Sequence, residues 1–184
     1  MRDHYTGRAK SAGLRARSAY KLMQINQKYQ LIRPNDAVLD LGCWPGGWLV
    51  VATRKGATTV VGIDLLPIER IQGVRFIQGD VTKAETLSQI KGKFDLVLSD
   101  MAPHTSGNRS LDVAVQLDLA ETAFKVAKKF LKPGGKFLVK VFQGQGYMEF
   151  VNKVKKCFST LKTLKPLASR SKSMEMYVLG IGFR

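Results

Sequence analysis

The chain is poor in cysteine, histidine and acidic residues, and it has no long apolar run. Its 184 residues include two cysteines, Cys43 and Cys157, and two histidines, His4 and His104. Two cysteines make no disulfide framework, which points to a reducing compartment, and the four residues together do not supply a structural zinc site. No apolar run approaches the roughly 18 residues of a membrane span. The start, Met-Arg-Asp-His-Tyr, lacks the apolar stretch of a secretory leader. No membrane partner is therefore expected, and the expected location is cytoplasmic, with an organellar address left open. Glycine at 17, proline at 6 and a 45 % hydrophobic content exclude a low-complexity or disordered chain. The length fits a single domain over residues 1–184 that buries a core without staples, with a monomer as the default.

The shortage of acid is the strongest departure from an ordinary composition. Thirty Lys and Arg face 14 Asp and Glu, a net charge of +16. The excess is uneven: residues 1–36 carry +6, residues 37–124 carry −2 and residues 125–184 carry +12. A mildly acidic middle between basic ends implies a small-molecule site in the centre and a polyanion surface at the flanks. A solvated lysine-rich face is the plainer reading of the same numbers. Charge of this kind carries no base preference.

From Ser18 to Tyr29 apolar residues recur at three- and four-residue spacing and predict a helix, which closes the basic segment of residues 1–36. Short apolar runs then alternate with amphipathic ones. Strands are expected at Ala37–Leu41, Thr59–Ile63, Val74–Gln78, Phe94–Ser99, Lys136–Phe142, Ser159–Leu164 and Met176–Phe183. Helices are expected at Trp48–Lys55, Leu111–Phe130 and Tyr147–Cys157, and Lys-Pro-Gly-Gly at 132–135 reads as a turn. Strands spaced by helices imply an α/β fold in residues 37–184, a mostly parallel seven-stranded sheet with helices on both faces. Ligands in such sheets bind beyond the carboxyl ends of the strands. Asp40, Asp64, Asp80 and Asp100 all fall at or near such ends.

The first strand runs into Asp-Leu-Gly-Cys-Trp-Pro-Gly-Gly-Trp (40–48), a glycine-rich strand–turn–helix that lets backbone amides approach a ligand. Its spacing is not G-x-G-x-x-G, and acids after the second, third and fourth strands would crowd a pyrophosphate with negative charge. They suit a ligand bearing a sulfonium, an ammonium and a ribose, so S-adenosyl-L-methionine fits and a nicotinamide dinucleotide does not. Asp64 and Asp80 also read simply as turn-capping residues. Four further positions suit alkyl transfer to an alcohol: Lys21, Asp100, Lys140 and Glu175. Lys140 stands out because it interrupts an apolar strand, Phe-Leu-Val-Lys-Val-Phe (137–142), where a lysine is costly unless paired or functional. Spacing alone does not bring the four together.

These residues carry a resemblance. Leu-Arg-Ala-Arg-Ser-Ala-Tyr-Lys-Leu (14–22), Asp-Leu-Gly-x-x-Pro-Gly-Gly-Trp (40–48), Asp-Leu-Leu-Pro (64–67), Gln-Gly-Asp (78–80), Ser-Asp-Met-Ala-Pro (99–103), Val-Lys-Val-Phe-Gln-Gly (139–144) and Ser-x-Glu-x-Tyr (173–177) resemble, in order, the FtsJ/RrmJ family of ribosomal RNA large-subunit (uridine-2′-O-)-methyltransferases. The resemblance runs from about Gly7 to Arg184. It implies a Rossmann-like class I S-adenosylmethionine-dependent methyltransferase fold. The family's Lys-Asp-Lys-Glu tetrad falls on Lys21, Asp100, Lys140 and Glu175, with Lys140 as proton acceptor, and its cofactor contacts fall on Gly46, Trp48, Asp64, Asp80 and Asp100. No metal is implied. The segment 141–147 is similar to the rRNA branch, which implies 2′-O-methylation of a uridine in the A-loop of large-subunit rRNA, on free RNA or a ribosomal subunit. Cys43-Trp44, His104 and Met174 depart from the family's usual residues. Met174 stands where a basic residue is common.

As proton acceptor, Lys140 must enter the reaction without its proton. Burial and the like charge of Lys21 favour that, and Asp100 and Glu175 oppose it. Arg2, Arg8, Lys10, Arg15, Arg17, Arg170 and Lys172 are the expected phosphate contacts. A tRNA or cap ribose methyltransferase using the same tetrad, and a non-catalytic RNA-binding assembly factor, are the competing readings.

Overall fold

The computed structural model describes residues 18–103, 105–166 and 173–184. Seven strands form one sheet: β1 (Ala37–Leu41), β2 (Thr59–Asp64), β3 (Val74–Gln78), β4 (Phe94–Ser99), β5 (Leu131–Phe142), β6 (Phe158–Leu164) and β7 (Glu175–Phe183). Their spatial order is β3-β2-β1-β4-β5-β7-β6. β1 to β5 pair in parallel, and β7 lies antiparallel between β5 and β6. Five helices complete the described chain: α1 (Ser18–Tyr29), α2 (Gly47–Arg54), α3 (Ala84–Leu87), α4 (Arg109–Phe130) and α5 (Tyr147–Lys155). The expected α/β class and the seven-stranded, mostly parallel sheet are what the structure shows.

Strand periodicity divides the core into two layers. Leu39, Leu41, Val61, Ile63, Val97, Phe137, Val139, Val141 and Val178 face one way and pack with Ala120, Phe124 and Ala127 of α4 and Phe150 and Val154 of α5. Val38, Val60, Leu96, Leu98, Leu138, Tyr177 and Leu179 face the other way and pack with Ala19, Leu22 and Ile25 of α1 and Trp48, Leu49 and Ala52 of α2. By the same alternation, Asp40, Lys140 and Glu175 project on the α1–α2 side. The sequence order reverses between β1 and β4, so a crevice opens beyond their carboxyl ends, where α/β sheets place ligands.

Several element bounds shift by one or two residues, and three local differences have a clear physical reason. β5 begins at Leu131, with the Lys-Pro-Gly-Gly turn absorbed as an irregularity: Phe94 pairs with Leu131 but Leu96 with Lys136. Pro133 lacks an amide to donate and Gly134 has φ 80°, so the extra residues loop out while the strand continues. α3 was not foreseen, because a single turn shows no period. α4 begins at Arg109, not Leu111, because the Asn108 side chain accepts hydrogen bonds from the amides of Ser110 and Leu111 at 3.1 and 3.3 Å.

The descent of α1 into β1 is held by Asn26. This residue is buried, and its Oδ1 accepts the Ile32 amide at 2.8 Å. Asn26→Ala leaves that buried amide without its partner, so chemical denaturation should report a loss of about 1–3 kcal/mol. A change within a few tenths of a kcal/mol would show that the bond does not anchor the helix.

Candidate active site

β5 carries Lys140 on the α1–α2 face with only 5 % exposure. The register Ser99↔Val139 brings the end of β4 alongside it, and Tyr177 lies directly opposite on β7. Lys140 Nζ donates to the Asp100 carbonyl at 2.7 Å and stands 3.1 Å from Asp100 Oδ1. The Tyr177 hydroxyl donates to the same Oδ1 at 2.7 Å, reaching past β5 to do so. Tyr177 is fully buried, and that burial, together with the charges of Asp100 and Glu175, pushes its hydroxyl well above the usual phenol range. It is therefore a fixed donor.

The second pair lies beside the first. Lys21 Nζ of α1 is 2.7 Å from each Glu175 carboxylate oxygen, across 154 residues of sequence. Its ammonium also sits 5.8 Å from the centre of the Tyr177 ring. Lys21, Asp100, Lys140 and Glu175 thus converge, with Tyr177 joining the two ion pairs. In the sequence Tyr177 is one residue of the Ser-x-Glu-x-Tyr motif, with nothing to mark this role. Gln116 was not singled out at all. It is buried on α4, and its amide donates at 3.1 Å to both the Met101 and Lys140 carbonyls, tying the end of β4 to β5. An uncharged helix residue gives no sequence signal of such a bridge.

The glycine loop forms the neighbouring wall. Gly46 caps α2 with φ 101°. Gly42 has φ 73°, and a Cβ there would run into the Met101 side chain, so the loop and the segment after β4 are in direct apposition. Trp48 is buried, donates through Nε1 to the Ser18 carbonyl at 2.8 Å, and stacks at a tilt 6.0 Å from Tyr177. It thereby fixes the start of α1 next to the crevice. Trp44 is 54 % exposed, so its indole sits at the mouth and does not fill the interior.

Each strand-end acid has its own setting. Asp64 accepts the amides of Trp44 and Leu66 at 2.8 and 2.9 Å. Asp80 accepts the amide and hydroxyl of Thr82, both at 2.8 Å, which holds its carboxyl below the ordinary value. Both do cap turns, and a carboxylate with several lone pairs can do so and still accept from a ligand. Asp40 is different. It is 1 % exposed, and among the described residues neither of its oxygens has a hydrogen-bond partner. Burial, reinforced by Asp100 and Asp64, pushes its carboxyl well above the usual range. It lines a cavity of about 40 Å³ with Ser18, Gly42, Gly47, Trp48 and Asp100.

The expected phosphate contacts Arg2, Arg8, Lys10, Arg15, Arg17, Arg170 and Lys172, and the departure at His104, lie outside the described residues. At Met174 the structure brings a cation from elsewhere: Arg109 of α4 donates through Nε to the Met174 sulfur. Among the described residues no helix is long and apolar enough to cross a membrane.

A family model described as FtsJ-like methyltransferase matches residues 14–183. The chain is 50 % identical over 184 residues to the Ribosomal RNA large subunit methyltransferase E of Methanothrix thermoacetophila, covering 98 % of this chain and 72 % of that one. It is 46 % identical over 185 residues to the protein of the same name from Archaeoglobus fulgidus, covering 99 % and 96 %. Among solved structures, a ribosomal RNA methyltransferase from Plasmodium falciparum matches with a TM-score of 0.81 at 28 % identity, over 92 % of this chain and 98 % of that one. With matches that run along nearly the whole sequence and a sheet of the same build, the chain belongs to the FtsJ-like methyltransferase family.

Proposed function

We propose that this enzyme transfers a methyl group from S-adenosyl-L-methionine to the 2′-oxygen of a uridine ribose in the A-loop of large-subunit rRNA. The observation that carries the reading is the convergence of Lys140–Asp100 and Lys21–Glu175 at the crevice edge. The rRNA target is supported by the relatives named Ribosomal RNA large subunit methyltransferase E and by the basic flanks of the sequence. Phosphate contacts would make RNA affinity fall steeply with salt, and the shape of a folded RNA or ribosomal particle would select the site.

The residues at the crevice fit the cofactor. A buried carboxylate without a partner beside a glycine cradle calls for a cation, and S-adenosylmethionine carries two. Gly46, Trp48, Asp64, Asp80 and Asp100 would hold it, with Asp40 facing its positive end. When bound, it supplies an electrophilic methyl on a sulfonium. The protein's part is to place the ribose and move one proton. Lys140 Nζ, once its resting proton has left to solvent and the amine is neutral, takes the proton of the 2′-hydroxyl, so that the O–H bond breaks as an N–H bond forms. The resulting ammonium is received by the carboxylate and carbonyl oxygens of Asp100. Tyr177 holds that carboxylate, and Glu175 holds Lys21 so that its charge lies beside the developing alkoxide. Positioning and exclusion of water supply much of the remaining acceleration.

Methyl transfer from labelled cofactor to purified rRNA, ribosomal subunits and tRNA, followed by mapping, tests this reading. Label should appear on a 2′-oxygen of large-subunit material. Label confined to tRNA would overturn the substrate assignment, and none on any RNA would overturn the reaction. Lys140→Met should slow transfer about 10²–10⁴-fold, the range of a lost general base, while calorimetry shows cofactor affinity preserved.

Asp40→Asn separates the cofactor role from stability. In the folded protein Asp40 must take up a proton or bear a buried charge, and in the unfolded chain it ionises near pH 4. The wild type therefore pays a penalty that grows by about 1.4 kcal/mol per pH unit above that point until the raised folded value is reached. Asparagine carries none. The variant should melt higher than the wild type at pH 7, with the gain vanishing below about pH 4, and should bind the cofactor more than about tenfold less tightly. A variant that melts lower at pH 7 with unchanged cofactor affinity would contradict both points.

A further inference from the structure

A second concavity lies away from the ion pairs, between α1 and the end of the edge strand β6. It has a volume of about 590 Å³. Gln24, Gln27, Lys28 and Tyr29 line it from α1, and Leu164 and Lys165 from the β6 side. Lys28 and Lys165 are exposed at its rim, and among the described residues none that lines it is acidic. The Lys165 ammonium is held by the Ser173 carbonyl at 2.9 Å, and Lys28 lies 5.4 Å from the centre of the Tyr29 ring. Cations, amides and an aromatic ring in one open groove are the combination that takes a single-stranded nucleic acid, phosphates on the lysines and bases against the apolar wall.

Helix spacing and strand register relate the groove to the catalytic cluster. Lys21, Gln24 and Lys28 follow one another at helical spacing on a single face of α1, spanning about 10 Å of rise. On the other wall Leu164 is the ladder partner of Tyr177, two residues from Glu175. A strand whose ribose sits at Lys140 would pass the Lys21–Glu175 pair and enter the groove directly.

We propose that the α1–β6 groove is a binding site for the single-stranded RNA segment adjoining the methylated nucleotide. The proposal rests on the RNA ribose reading given above. It predicts that the groove contributes to RNA affinity and KM and leaves the chemical step alone.

The test compares two charge-matched double variants of the full chain. Lys28→Glu with Lys165→Glu alters the groove. Lys128→Glu with Lys129→Glu alters the C-terminal turn of α4, which packs on the other face of the sheet from α1 and leads into the interior strand β5. Fluorescence anisotropy with a labelled single-stranded oligouridylate is read across a salt series. The groove variant should bind at least about tenfold more weakly and lower the slope of log affinity against log salt by about 1.4, two phosphate contacts at 0.7 each, with the α4 variant close to wild type. Lys28→Arg with Lys165→Arg should restore binding. In methyl transfer the groove variant should raise KM for rRNA and keep kcat. Equal weakening by both Glu variants, or by neither, overturns the groove assignment, the latter also being the outcome if a segment of this chain occupies it. If wild type binds the oligouridylate through the groove yet methylates no RNA, the functional reading fails while the binding site stands.

Discussion

The contact between Lys140 and Asp100 is the constraint around which the molecule is arranged. An isolated ammonium buried on an interior strand would cost several kcal/mol. It is tolerated because β4 ends beside it and delivers a carboxylate and a carbonyl to the same nitrogen. That demands β4 and β5 as parallel neighbours in one register. The antiparallel insertion of β7 then sets Tyr177 opposite Lys140, where its hydroxyl can hold Asp100. Gln116 fixes the same junction from the other layer, through the carbonyls of Lys140 and Met101.

The α1 helix completes the arrangement. Its apolar residues Ala19, Leu22 and Ile25 pack on the face of the sheet from which Lys140 and Glu175 project, so Lys21 is delivered to Glu175 by the same packing that buries the helix. Trp48 ties the first residue of α1 to the glycine loop. The glycine loop, the two ion pairs and α1 are thus mechanically joined, although they come from distant parts of the sequence. The acids of β1 and β4 and the cations of α1 and β5 meet at the crevice, which suits a reaction that joins a cation to a developing oxyanion.

Much of this was legible in the residues. The strands Ala37–Leu41 and Phe94–Ser99 have the expected bounds because each is a mostly buried run closed by an acid or a polar turn, and the edge strand Val74–Gln78 has them although only Ile77 of it is buried. Lys140 announced itself by interrupting such a run. The family resemblance, not spacing, supplied the grouping of Lys21 and Glu175 with it, since residues 154 apart share no local pattern. Tyr177, Gln116 and the isolation of Asp40 were not legible. A buried tyrosine or glutamine looks like any core or helix residue until the neighbouring strands are placed, and an acid at a strand end does not reveal whether anything satisfies it. The turn inside β5 was misread as a strand boundary because proline and glycine mark both turns and bulges.

The central claim is that the amine of Lys140 takes the ribose proton, and chemical rescue tests it most directly. In Lys140→Ala, added ethylamine should restore methyl transfer in proportion to its neutral, free-base concentration as pH is varied. Restoration that follows the protonated ethylammonium instead would contradict the account and make the lysine a positive charge that steers the hydroxyl.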